Sequence, residues 1–268
     1  MDSPMIIDFS GKTALVTAGS KGIGFGIAQN LHRMGANVSI CARNQDGLDE
    51  AIEKMSPHGA DRLYAMVGDI GDPSFLKELT SSTASHFSDE ISILVNNNGG
   101  PPSGDTLEMT EEQWDGAINR NMLSVIRLAK LVVPGMKKNN WGRIINLTSL
   151  TAKEPESGMV LSNVTRAGVV ALSKTLSRDL GPFGITVNTI LTGGVLTERA
   201  FSFIREEIET TGETLEEACV RIGKTLPIQH IASPEEFSQM ILFMASEAAG
   251  YLTGTAIPLD GGASHGGF

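Results

Sequence analysis

Thr17-Ala18-Gly19-Ser20-Lys21-Gly22-Ile23-Gly24 lies between the apolar run Thr13-Ala14-Leu15-Val16 and a stretch with Ile23, Ile27, Leu31 and Met34 at helical spacing. A glycine-rich turn from a strand into a helix presents backbone N–H groups and the positive end of the helix dipole, where a phosphate can bind. The same glycines also suit a tight βα turn with no ligand. Ala18 moreover stands where a dinucleotide fingerprint puts its first glycine, so the turn alone does not decide. The next segment of chain does. Gly35 leads into Asn37-Val38-Ser39-Ile40-Cys41-Ala42, which reads as a second strand and completes one βαβ unit.

Arg43 directly follows that strand, where NAD-specific folds place an Asp or Glu against the ribose hydroxyls. An arginine there suits a 2′-phosphate, and Lys21 in the turn adds a second positive charge. NADP is therefore the expected cofactor, against the bland alternative of two solvated basic residues.

Strand and helix patterns alternate along the rest of the chain. Apolar runs at Leu63 to Val67, Ile91 to Val95, Arg143 to Leu147, Ile185 to Leu191 and Thr255 to Leu259 are continuous, as in parallel strands buried on both faces. Asp72-Pro73 reads as an N-cap with proline at the first helical position, opening a helix with Leu76, Leu79 and Phe87 inward. Thr110-Glu111-Glu112-Gln113 and Ser233-Pro234-Glu235-Glu236 have capping-box form. The expected fold is α/β: one doubly wound Rossmann domain over residues 1–268, with a parallel seven-stranded sheet between helices and ligands at the carboxyl ends of the strands.

The stretch from about Thr197 to Pro227 departs from this alternation. It is helical in pattern, with Phe201, Phe203, Ile204 and Ile208 as an apolar stripe, and it is inserted before the last strand. It reads equally as a hairpin packed on the core and as a lid over the cofactor crevice.

Composition narrows the function classes. The chain has 268 residues, 41% hydrophobic, a formal charge of −10 and no Lys/Arg-rich run, which argues against nucleic acid and anionic membranes as partners. The first ten residues carry Asp2 and Asp8 and no signal-peptide core, and no stretch of ~20 apolar residues occurs, so a cytoplasmic location is expected. Cys41 and Cys219 make neither a disulfide framework nor a metal site.

Over essentially its whole length the chain resembles the short-chain dehydrogenase/reductase family. The matching residues are Thr17 to Gly24, Asp69-Ile70, Asn96-Asn97-Asn98-Gly99, Asn121, Ser149, Gly193 with Thr197, and Asp260-Gly261-Gly262. Gly99-Gly100-Pro101-Pro102 is most similar to the β-ketoacyl-carrier-protein reductase-like branch. The resemblance implies that the turn from Thr17 and Ser20 through Gly22, Ile23 and Gly24 meets the pyrophosphate. It implies that Asp69 and Ile70 flank adenine, that Asn97, Asn98 and Gly99 line the crevice, and that Gly193, Val195 and Thr197 hold the nicotinamide side. It also implies a homo-oligomer, a tetramer or dimer, in which the long helices starting near Thr110 and Ser157 pair across a two-fold axis.

The resemblance breaks at the proton donor. The family places a tyrosine thirteen residues after its serine and a lysine four residues further on; counted from Ser149, those positions are Ser162 and Arg166. Tyr64 and Tyr251 lie in other segments. A serine hydroxyl is too weak an acid to protonate an alkoxide unaided, and arginine stays protonated, so neither replaces the tyrosine. Arg166 can still hydrogen-bond the nicotinamide ribose, a carbonyl or a carboxylate. Two functions are expected from these residues. One is an NADP-dependent reductase of a small carbonyl substrate, with Ser149, Asn121, Ser162 and Arg166 at the site and Lys153 as the favoured acid ahead of Glu154, Glu156, His230 or a water. The other is a catalytically degenerate NADP-binding protein, acting as a redox sensor or partner subunit.

Overall fold

In the computed structural model, which describes residues 7–266, the expected strands form a seven-stranded sheet among the described residues. The strands are β1 (Thr13–Thr17), β2 (Asn37–Ala42), β3 (Leu63–Val67), β4 (Ile91–Asn96), β5 (Gly142–Leu147), β6 (Ile185–Thr192) and β7 (Ala256–Leu259). Their order is β3-β2-β1-β4-β5-β6-β7 and the pairings are parallel. The chain winds outward from β1 in one direction and from β4 in the other. The switch between these two strands opens a crevice at their carboxyl ends.

Both faces of the sheet are covered. Alternate residues of β1 divide between two cores, Ala14 and Val16 entering one and Leu15 the other. On the first face lie α1 (Gly22–Arg33), α2 (Gln45–Met55) and α9 (Pro234–Ala245), which contribute Ile27, Leu31, Leu48, Phe237 and Ile241. On the second lie α3 (Pro73–Phe87), α5 (Ser124–Lys138) and α6 (Val160–Leu180), which contribute Leu76, Leu79, Leu128, Val132 and Leu180. Each such fully buried side chain contributes about 1.5–3 kcal/mol by leaving water. Met34, expected on the α1 stripe, falls past the helix end and is 40% exposed, and Phe87 is only half-buried.

The caps act largely as their residue types dictate. Asp72 accepts from the Ser74 amide at 2.8 Å, and Thr110 with Gln113 completes a reciprocal box at the start of α4 (Glu111–Ile118). Ser233 makes only half of one: it accepts from the Glu236 amide, while the Glu236 carboxylate turns to His230 at 2.9 Å. Between α4 and α5 the helix widens into a π-turn at Asn119–Leu123, with Asn121 buried inside it. A buried polar chain crosses the second layer. Asn96 Nδ2 donates to Asn146 Oδ1 at 2.7 Å, Asn146 Nδ2 to Ser173 Oγ at 2.8 Å, and Ser173 Oγ to the Val169 carbonyl at 2.7 Å, which ties β4, β5 and α6 together.

Ala18 has φ +49, the left-handed region that disfavours a Cβ. Glycine there relieves that crowding but frees the unfolded chain, so the two effects oppose. Ala18→Gly is expected to stabilise by about 0.5–1 kcal/mol, read as a rise of roughly 1–4 °C in a thermal melt.

The insertion is a helical hairpin of α7 (Glu198–Thr211) and α8 (Leu215–Gly223). Its two ends are joined at the base, where Val195 pairs with Ala232 and the Leu196 amide donates to the Ala232 carbonyl at 2.9 Å. Ile204 and Ala218 are buried, and Arg221 meets Glu213 at 3.0 Å. The Phe203 side chain lies outside the described residues.

Candidate active site

The crevice at the switch point is a cleft of about 410 Å³, within the usual size of a ligand site. Its floor is the glycine turn. Thr17 Oγ1 donates to the Asn97 carbonyl at 2.7 Å and accepts from the Asn97 amide at 2.9 Å, joining the ends of β1 and β4. Asn97 Nδ2 in turn donates to the Ala18 carbonyl at 3.2 Å. A Cβ on Gly24 would collide with that carbonyl, so glycine is required for the helix to start this close to the turn.

Ser20, Lys21, Gly22, Ile23, Arg43, Asp69, Ile70, Asn97, Asn98, Gly99 and Thr197 all line the cleft. Lys21 and Arg43 are exposed. Thr17 and Gly24 lie beneath the lining. Val195 is buried at the hairpin base, and Gly193 sits where a side chain would strike the Asp260 backbone. Thr197 caps α7 by accepting from the Ala200 amide at 3.2 Å, with its methyl over Gly22. Asp69 is held by the Gly71 amide at 2.8 Å and by Arg120 at 3.2 Å. Burial raises its pKa, but the Gly71 amide, Arg120 and nearby Arg43 outweigh that and leave it below the ordinary carboxylate range. Cys41 lies at the edge of the cleft, where burial pushes its thiol up to about 12 and keeps it a thiol.

The cleft suits a dinucleotide on structural grounds. Backbone amides and glycine surface occupy the turn where a side chain would fill the space, a Cβ on Gly99 would meet nothing within 4 Å, and basic groups stand at the β2 end. Ser149, Ser162, Arg166 and Asn121 lie outside the lining of this cleft, and Arg166 joins it through Asn98. Ser149 caps a short 3₁₀ turn by accepting from the Thr151 amide at 3.2 Å, and the Thr151 hydroxyl meets that of Ser162 at 3.1 Å. Ser162 and Arg166 are buried, one turn apart on α6, and do not merely decorate a solvated helix face. Arg166 Nη1 donates to the Leu147 carbonyl at 3.2 Å and Nη2 to Asn98 Oδ1 at 3.4 Å, while its Nε is buried without a partner. Burial, with Arg199 nearby, pushes its pKa down to about 10, which leaves it a cation at neutral pH. Asn121 Oδ1 is also buried without a partner.

The other acid candidates do not line the cleft. Lys153 Nζ donates to the Gly266 carbonyl at 3.0 Å, and Glu154 Oε1 accepts from the amides of His265 and Gly266. Glu156 offers its backbone carbonyl to Asn163. His230 is exposed, and its bond to Glu236 raises its pKa. Lys153 and Glu154 thus hold the C-terminal segment, and neither lines the cleft.

Sequence reading missed two arginines. Arg120 covers Asp69, and Arg199 leaves the first turn of α7 to donate to the Gly100 carbonyl at 3.1 Å. Both lie beside family-matching residues, Asn121 and Thr197, which is the signal that could have found them. Among the described residues no group of His, Cys, Asp and Glu is arranged to hold a metal, and no helix is long and apolar enough to cross a membrane.

Comparison with known proteins gives a consistent result. A family model described as enoyl-(acyl carrier protein) reductase matches residues 17–264. The 3-oxoacyl-(acyl-carrier-protein) reductase FabG of Pseudomonas aeruginosa is 31% identical over 256 residues, covering 96% of this chain and 98% of that protein. The human dehydrogenase/reductase SDR family member 4 is 32% identical over 252 residues, covering 94% and 87%. Among solved structures, L-sorbose reductase from Gluconobacter frateurii, crystallised with NADPH and L-sorbose, superimposes with a TM-score of 0.91 at 32% identity, over 96% of this chain and 98% of that one.

Proposed function

The chain belongs to the short-chain dehydrogenase/reductase family, and from that premise we propose that it is an NADP(H)-dependent oxidoreductase of small carbonyl compounds whose active site is built without the usual tyrosine and lysine. The carrying observation is that Arg166 hydrogen-bonds Asn98, which lines the dinucleotide cleft. The cofactor supplies the hydride. The chain's own residues hold it and orient the carbonyl: the turn from Ser20 to Gly24 at the pyrophosphate, Arg43 and Lys21 at the 2′-phosphate, Asp69 and Ile70 at adenine, and Val195 and Thr197 at the nicotinamide. Ser149 donates to the carbonyl oxygen, Asn121 and Ser162 support that end of the site, and Arg166 provides fixed positive charge beside the developing alkoxide.

The α7–α8 hairpin is proposed as the lid, because Arg199 on its first turn already contacts the Gly100 wall of the cleft. Assembly of two or four copies is proposed from the exposed apolar side of α6, where Val164 is 51% exposed. A second reading, cofactor binding without turnover, draws support from Ser162, whose hydroxyl is spent on Thr151 in a buried contact. A panel of carbonyl substrates assayed by NADPH absorbance separates the two. Substrate-dependent oxidation of NADPH is expected, and tight NADPH binding with no turnover of any member would leave only the second reading.

A further inference from the structure

Arg166 and Arg199 both bond the turn at Asn98–Gly100. Arg166 Nη2 bonds the Asn98 side chain at 3.4 Å, and Arg199 Nη1 bonds the Gly100 carbonyl at 3.1 Å. Between them lies Gly99, with open space where a side chain would be. Arg166 is 8% exposed, and its bonds go to a neutral carbonyl and a neutral amide. Its Nε is shielded from solvent and has no acceptor among the described residues. A buried cation beside a second cation, with neutral groups as its only hydrogen-bond acceptors among the described residues, is an unfavourable arrangement unless a ligand completes it. Neither acid that lines the cleft lies against Arg166: Asp69 meets Arg120 at 3.2 Å and Glu198 meets Arg205 at 3.4 Å.

We infer that the substrate of this site carries a carboxylate, held between Arg166 and Arg199 over Gly99, so that the carbonyl compound reduced is an oxo acid. This rests on the oxidoreductase reading for the word substrate, but the anion site stands on the two arginines alone. The planar guanidinium suits a carboxylate, because its parallel N–H groups match the two oxygens. Closure of the α7 hairpin onto such a substrate would place Arg199 on the anion, making the carboxylate the feature the hairpin recognises. Reduction balances in the ordinary way: a hydride from NADPH goes to the carbonyl carbon and a proton to its oxygen, giving a hydroxy acid and NADP⁺.

The test uses malonate, which has the carboxylate but no ketone, on the full chain saturated with NADP⁺. Malonate at about tenfold excess over its Kd is expected to raise the melting temperature by about 3 °C, with malonamide without effect. Arg199→Ala, at an exposed position, is expected to remove the shift when NADP⁺ is again saturating at the variant's own Kd. Turnover gives a second readout: acetoacetate should exceed methyl acetoacetate by at least about tenfold in kcat/KM, and the ratio should fall to about one in the variant. A malonate shift seen only without NADP⁺, an equal shift with malonamide, or preference for the ester would overturn the inference. If no carbonyl compound is reduced but the malonate shift persists beside NADP⁺, the reductase reading fails and the anion site stands.

Discussion

Ser162→Tyr combined with Arg166→Lys is expected to raise kcat/KM for a simple neutral ketone by about 10²-fold or more, since a positioned general acid contributes roughly 10²–10⁴-fold. Both positions face the right way for this, one turn apart on α6 and buried beside the Ser149 turn. A phenol near pKa ~10 can be tuned by a neighbouring lysine, whereas a serine hydroxyl cannot be brought into range. Arg166 stays a cation at neutral pH and offers charge and hydrogen bonds to the site. The single variant Arg166→Lys should gain nothing, as no tyrosine awaits it. NADPH binding by both variants, followed by cofactor fluorescence, reports that the fold has survived. Ordinary family rates for neutral ketones in the unmodified protein, with no gain in the double variant, would mean that another acid is already in place.

The second large effect concerns cofactor choice. Wild-type protein is expected to bind NADPH at least tenfold more tightly than NADH, and Arg43→Asp to invert that order, because one charge-assisted hydrogen bond to phosphate is worth about 1.5–3 kcal/mol before screening. Arg43 and Lys21 are exposed, so the preference should shrink as salt rises from about 50 to about 500 mM. The new carboxylate would also stand near Asp69, whose charge Arg43 now helps to stabilise. The inverted preference should therefore be smaller than the original one. Equal Kd values for the two cofactors in wild-type protein would remove Arg43 and Lys21 from the 2′-phosphate.

The fold was legible because its signals are local. Parallel strands buried on both faces read as unbroken apolar runs, and the Asp72 and Thr110 caps announce their helices within four residues. The features that stayed hidden are long-range. Lys153 follows Ser149 by four positions, but the direction of its side chain is set by Gly266, 113 positions later. The Ser233 box failed for a like reason, since Glu236 had a better partner in His230. The pairing of Arg166 with Asn98 and of Arg199 with Gly100 spans 68 and 99 positions and leaves no trace in periodicity. The absence of tyrosine and lysine at 162 and 166 was plain; that an arginine could be buried there against neutral partners was not.

The polar chain from Asn96 through Asn146 to Ser173 has a consequence in time. Releasing α6 from the sheet would break the Asn146–Ser173 bond and strand a buried amide of β5, so displacing Ser162 and Arg166 together with α6 is costly. The α7–α8 hairpin is anchored differently. Its base closes on the Val195–Ala232 pair, and its tip carries an ion pair between partly exposed residues. Motions of such a segment belong to microseconds and milliseconds, while those of α6 belong to the lifetime of the folded chain. If the hairpin closes as proposed, Arg199 travels with it while Arg166 stays with α6, and the gap between the two guanidinium groups is the distance that closure would change.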